Sequence, residues 1–73
     1  MNLSVRTVAK FTNGPLSIGI VEGLDRPEKH WIINAGQGKF LIRIEPETDP
    51  LFKDERFDSP ELALDRIRKH YSN

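Results

Sequence analysis

The sequence predicts an α+β domain: an antiparallel four-stranded sheet built from two consecutive hairpins, with one C-terminal helix packed on one face. Three observations carry this. Two runs rich in β-branched and aromatic residues flank Gly36-Gln37-Gly38, and a second pair flanks Asn13-Gly14, so each pair has the composition of strands joined by a turn. Ser59-Pro60-Glu61 then opens a segment whose apolar residues recur at helical spacing.

From Leu3 to Phe11 the chain alternates, with Leu3, Val5, Ala9 and Phe11 on one side and Arg6, Val8 and Lys10 on the other. Asn13-Gly14 is a strong hairpin signal, but Pro15 lacks the N–H that a tight turn needs. An open turn, or Pro15 at the sheet edge, is therefore expected. Leu16 to Glu22 returns, with Phe11 opposite Leu16 and Ala9 opposite Ile18. Gly23 to Lys29 is a polar connection broken by Pro27.

The central hairpin, His30 to Glu45, is the stretch around which the chain is organised. A loop of two residues (Gly36-Gln37) or four (Ala35 to Gly38) gives one pairing: Ile33 opposite Phe40, Trp31 opposite Ile42 and His30 opposite Arg43. An odd-length loop slips the register by one and breaks that match. The crossover that follows is acidic and contains Pro46 and Pro50. Asp49-Pro50 suits the opening of a single helical turn. Leu51, Phe52 and Phe57 are expected to anchor it, with Glu55 to Phe57 as a short edge strand.

The helix is expected from about Ser59 to Tyr71. Ser59 caps the free N–H groups, Pro60 presets the first position and Glu61 faces the positive end of the dipole. Asp58 with Glu61 is an alternative capping box one residue earlier. Ala63, Leu64, Ile67 and Tyr71 share a face flanked by Leu62, and Asp65 and Lys69 stand at i,i+4 spacing. The expected core is Val5, Ala9, Phe11, Leu16, Ile18, Ile20, Trp31, Ile33, Phe40, Ile42, Ile44, Leu64, Ile67 and Tyr71.

Composition bounds the function. At 73 residues the chain makes one small domain, 1–73, near the lower size limit for a core without staples. It has no cysteine, which excludes disulfides and thiolate metal sites and fits a reducing compartment. The start, Met-Asn-Leu-Ser-Val-Arg, has no apolar run, so neither a signal peptide nor a membrane span is expected, and the expected location is cytoplasmic. Basic and acidic residues balance at 11 each, against a strong general affinity for nucleic acid. The balance is segregated: residues 1–44 carry a net +3, residues 45–65 a net −6 and the tail +3. Helix-dipole preference and a solvated loop account for such a pattern.

No motif carries chemistry. Gly36-Gln37-Gly38-Lys39 is not a phosphate loop, because Ile33 stands where the first glycine is needed and Phe40 where a Ser or Thr is needed. No helix follows the glycines, so the dinucleotide fingerprint fails too. His30 is expected exposed at a strand start and His70 in the last helical turn, neither with a partner at metal-ligand spacing. The acids from Glu45 to Asp58 lack the pattern of a calcium loop. No catalytic residue, cofactor or metal is expected, and a non-enzymatic role follows from the small room for a closed pocket.

The informative feature is the second face of the sheet. In the expected register it carries Val8, Val21, Ile32 and Leu41, rimmed by Arg6, Lys10, His30, Lys39 and Arg43. A sheet covered on one side should alternate with polar residues there. Four aliphatics instead indicate a contact surface for a protein partner or a second copy, as in an accessory or inhibitory protein. The alternative is a nucleic-acid-binding sheet using Arg6, Lys10, Lys39 and Arg43. A three-stranded sheet backed by a C-terminal helix resembles, in architecture alone, small DNA-binding modules such as those of plant AP2 type and integrase arm type. Against that alternative, Phe11, Trp31 and Phe40 are all expected on the core face, leaving no platform for bases to stack on.

Overall fold

Strand-forming runs interrupted by glycine-bearing turns produce a simple meander. A computed structural model describes residues 2–10, 16–46 and 52–72. Its strands β1 (Ser4–Lys10), β2 (Leu16–Glu22), β3 (Lys29–Gly36) and β4 (Lys39–Glu45) form one antiparallel sheet in the order β1-β2-β3-β4, followed by helix α1 (Pro60–Tyr71). The expected α+β architecture is therefore present. Phe11, the Asn13-Gly14 turn, Pro15, the Asp49-Pro50 turn and Leu51 lie outside the described residues, as do the side chains of Lys10 and Leu16.

The register of the central hairpin differs from the expected one. His30 pairs with Ile44, Ile32 with Ile42 and Asn34 with Phe40, while Trp31 pairs with Arg43 and Ile33 with Leu41. Two local features cause the slip. The turn is made by Gln37 and Gly38, both at positive φ (56° and 74°), the conformation that suits a two-residue hairpin loop. Gly36 then pairs with Lys39, so Ala35 is an extra residue bulged out between Asn34 and Gly36. The Asn34 side-chain oxygen accepts from the Gly36 N–H at 2.8 Å and pins the bulge. One inserted residue moves every side chain of β3 to the opposite face from the one expected.

β1 carries a second irregularity. Ser4 to Thr7 pair with Glu22 to Gly19 in sequence, then Ala9 pairs with Ile18, with a shift around Val8. Ala9 pairs with Ile18 and Val5 packs on the helix side, both as expected, but the shift puts the two on opposite faces of the sheet. Beyond β2 the chain turns at Gly23, whose φ is +93° and whose missing Cβ leaves room for the Asn2 carbonyl oxygen 2.1 Å from where that atom would sit. Only glycine fits there.

The crossover returns along the outer edge of β4. Phe57 bridges to Phe40 through two backbone hydrogen bonds, 2.8 and 2.9 Å, which is the short edge pairing expected near residues 55–57. Phe52 is buried, with the His70 ring edge-on at 5.3 Å and the Arg66 guanidinium 4.9 Å from its ring centre. The helix begins as expected: Ser59 Oγ accepts from the Leu62 N–H at 3.2 Å, with Pro60 in the first turn. Asp65 pairs with Arg68 one turn on, not with Lys69.

One cluster forms the core: Val21, Ile32, Phe40, Ile42, Ile44, Phe52, Ala63 and Ile67, with Leu3, Val5, Leu24, Phe57, Leu64 and Tyr71 packed around it. Ile18, Ile20, Trp31 and Ile33, expected inside, lie on the opposite face of the sheet, and Ala9 is exposed. Val21 and Ile32, expected on the open face, lie beneath the helix instead.

Candidate functional site

The face turned away from α1 is built by cross-strand neighbours. In one row Ala9, Ile18, Ile33 and Leu41 run from β1 to β4, and in the next Arg6, Ile20, Trp31 and Arg43. Five large apolar residues, Ile18, Ile20, Trp31, Ile33 and Leu41, are thus register neighbours across three strands. All five are half-buried, and none belongs to the core cluster or packs against it. They bury one another only in part, because a single sheet layer shields the base of each side chain and leaves its outer surface open.

Charges ring this patch and are largely compensated. Arg6 Nε donates to a Glu22 carboxylate oxygen at 3.0 Å, Lys39 pairs with Asp58, and Lys29 stands opposite Glu45 in the register. These contacts are exposed, so each contributes little to stability, about 0–1 kcal/mol. They neutralise Arg6 and Lys39 and leave Arg43, exposed on the same face, as a surplus positive charge.

The residues singled out from the sequence therefore divide. Arg6, Leu41 and Arg43 are on the open face, and Lys39 is at its edge. Val8 is 51% exposed at the β1 irregularity. Val21, His30 and Ile32 are core residues, which corrects their expected position. Lys10 pairs with Leu16 through the backbone of β1. Ile18, Ile20, Trp31 and Ile33 were missed, since the expected register pointed them inward. Their signal in the sequence was the opposite parity of the same β-branched runs.

A second, polar cluster lies under the C-terminal end of the helix. His30, expected exposed, is 1% exposed, placed there by the same register slip. Its Nδ1 lies 3.3 Å from the Glu28 carbonyl and its Nε2 lies 2.8 Å from the Tyr71 hydroxyl. A carbonyl oxygen only accepts, so Nδ1 carries the proton of the neutral ring, and Nε2 accepts from the Tyr71 O–H. Burial lowers the His30 pKa, partly opposed by the Glu28 carbonyl and carboxylate and reinforced by Arg26 and His70. Burial raises that of Tyr71. Arg26 completes the group, its guanidinium 4.5 Å from the Tyr71 ring centre and 3.2 Å from a Glu28 carboxylate oxygen. Backbone hydrogen bonding at Glu28, aided by Arg26, holds its carboxyl below the ordinary value.

These groups tie β3 to the end of α1, and with His30 enclosed no substrate reaches the imidazole. A groove of about 310 Å³ lies between Phe57 and Leu62, rimmed by Arg66 and Lys69 with Asp58 and Asp65. Arg66 is already engaged by Glu55 at 2.9 Å. Its mixed signs converge on no single ligand chemistry. Among the described residues, no three His, Asp or Glu side chains are placed to hold a metal ion, and no helix is long and apolar enough to cross a membrane. No protein-family model, curated protein or solved structure matches the chain.

Proposed function

We propose that this protein is a non-enzymatic interaction module that binds a protein surface through the helix-free face of its sheet. The observation that carries this reading is the second apolar cluster, Ile18, Ile20, Trp31, Ile33 and Leu41, on the side away from the core. Contiguous apolar patches rimmed by polar groups mark contact sites, and an aromatic at the centre with Arg at the flank is the usual composition of an interface centre. A cytoplasmic setting belongs to the same reading, supported by the absence of cysteine.

Leu41→Asp tests it. A carboxylate on the β4 side of the patch is tolerated by the free protein, because Leu41 is outside the core, but not by a dry interface. The expected result is loss of association with an unchanged far-ultraviolet circular dichroism spectrum. Loss of helix and sheet signal instead assigns Leu41 to the core and removes the proposal.

The same face supports a second reading. Trp31 stands in a row with Arg6 and Arg43, which supplies the stacking residue that the expected register had denied to a nucleic-acid-binding sheet. That reading requires affinity for single-stranded DNA or RNA that falls steeply with salt and is weakened by Arg43→Glu. The ion-paired rim favours the protein partner.

A further inference from the structure

We infer that the surface this face binds is the same face of a second copy of the chain, giving a two-fold dimer of layers helix–sheet–sheet–helix. This rests on the reading of the face as a protein contact and names its occupant.

Area supports it. Strands about 4.8 Å apart and rising about 3.4 Å per residue give four strands of about seven residues a flat footprint of roughly 450 Å². The accessible surface of a corrugated side-chain layer exceeds its flat footprint, which brings it toward the roughly 800 Å² per partner of a standard interface. A second sheet of equal size covers the whole patch, whereas a helix or a single strand covers a strip of it. Sheets stacked about 10 Å apart in this way form the core of every β-sandwich.

Charge supports it as well. The chain has a formal net charge of 0, so two copies approach without overall repulsion. With Arg6–Glu22 and Lys39–Asp58 paired and Lys29 opposite Glu45, Arg43 is the one surplus charge on the described part of the rim, too little to select a strongly acidic or basic partner. Like charges need not meet. With the two-fold axis running across the strands between the two rows, Ile33 lies over Trp31 of the second copy and Ile18 over its Ile20. Arg6 and Arg43 then lie over its Ala9 and Leu41, where their aliphatic stems pack on apolar surface while the guanidinium groups reach the rim.

The test combines hydrodynamics with photo-cross-linking. Sedimentation of the full chain from low to high micromolar concentration is expected to show a mass rising from the 8.4 kDa of one chain toward twice that value. Ile33→Glu is expected to raise the dimer dissociation constant by about 100-fold or more, since a two-fold interface contains each substitution twice and a tenfold loss per side chain multiplies. Circular dichroism confirms that the variant folds. A chain carrying p-benzoylphenylalanine in place of Leu41, irradiated in an extract of its source cells, is expected to link to itself. A mass of one chain at every concentration overturns the dimer, and so does a dimer that Ile33→Glu leaves intact. A cross-link only to a different protein overturns self-pairing while keeping the face as a contact surface. No cross-link of any kind overturns both.

Discussion

Replacing Ile32 by alanine tests the register at its most buried point. Ile32 is 0% exposed and sits beneath the helix, opposite Ile42 on β4 and Gly19 on β2. The change removes three carbons, worth about 0.8 kcal/mol each in transfer from water. The sheet holds the backbone in place, so the site cannot collapse fully and the residual cavity adds about 1 kcal/mol. The expected loss is therefore about 3–3.5 kcal/mol, out of a total of about 4–11 kcal/mol for a domain of this length. Urea unfolding followed by circular dichroism reads it as a fall in midpoint of about 3 M, with a slope near 1 kcal/mol per molar. Trp31→Ala is the control. Trp31 is the larger residue, but it is half-buried on the open face and leaves no closed cavity. At the lowest usable protein concentration, where association adds nothing, it is expected to cost less than half as much. A larger loss for Trp31→Ala than for Ile32→Ala refutes the register, and with it the assignment of both faces.

Acidification is expected to destabilise the fold through His30. Its folded-state pKa lies below the ordinary value, so as pH falls through about 6.5 the unfolded chain takes up a proton that the folded chain refuses. This contribution is complete above that pH and is lost progressively until the folded-state value is passed. Urea midpoints measured from pH 8 to 5 should decline, and His30→Gln should flatten the decline. At the other extreme, Tyr71 keeps its proton longer in the folded state, so stability falls as pH rises past about 10. Tyr71→Phe leaves the His30 Nε2 without its donor and should cost about 1–3 kcal/mol. Gly23→Ala drives a Cβ against the Asn2 carbonyl and is expected to lower the melting temperature, whereas an alanine accepted without loss contradicts the packing at that turn. Ser59→Ala removes the acceptor for the Leu62 N–H and should cost about 1 kcal/mol with the sheet signal unchanged.

The sequence revealed the elements more readily than the faces. Ser59-Pro60 marks the helix start because capping chemistry is local, and Gly38 marks a turn because few other residues accept its backbone. Parity is not local. Trp31-Ile32-Ile33 and Phe40-Leu41-Ile42 are apolar at both parities, so two registers each align an apolar set, and alternation cannot choose between them. The bulge at Ala35 decides it, and alanine carries no bulge signal. The same holds at Val8, where β1 shifts without a glycine. The burial of His30 followed from this slip, as did the placing of Trp31 on the open face. One apolar face covers the core, and the other is the face proposed to meet a second sheet.

Trp31 is the only tryptophan of the chain, so its emission reports directly on the open face. Emission and sedimentation mass, recorded on the same samples across a dilution series, give the most direct test of that face as the meeting surface of two copies. The expected result is an emission maximum that shifts to the red on dilution in step with the fall from two chains to one, a shift that Ile33→Glu makes complete at every concentration. An unchanging spectrum together with the mass of a single chain throughout contradicts it.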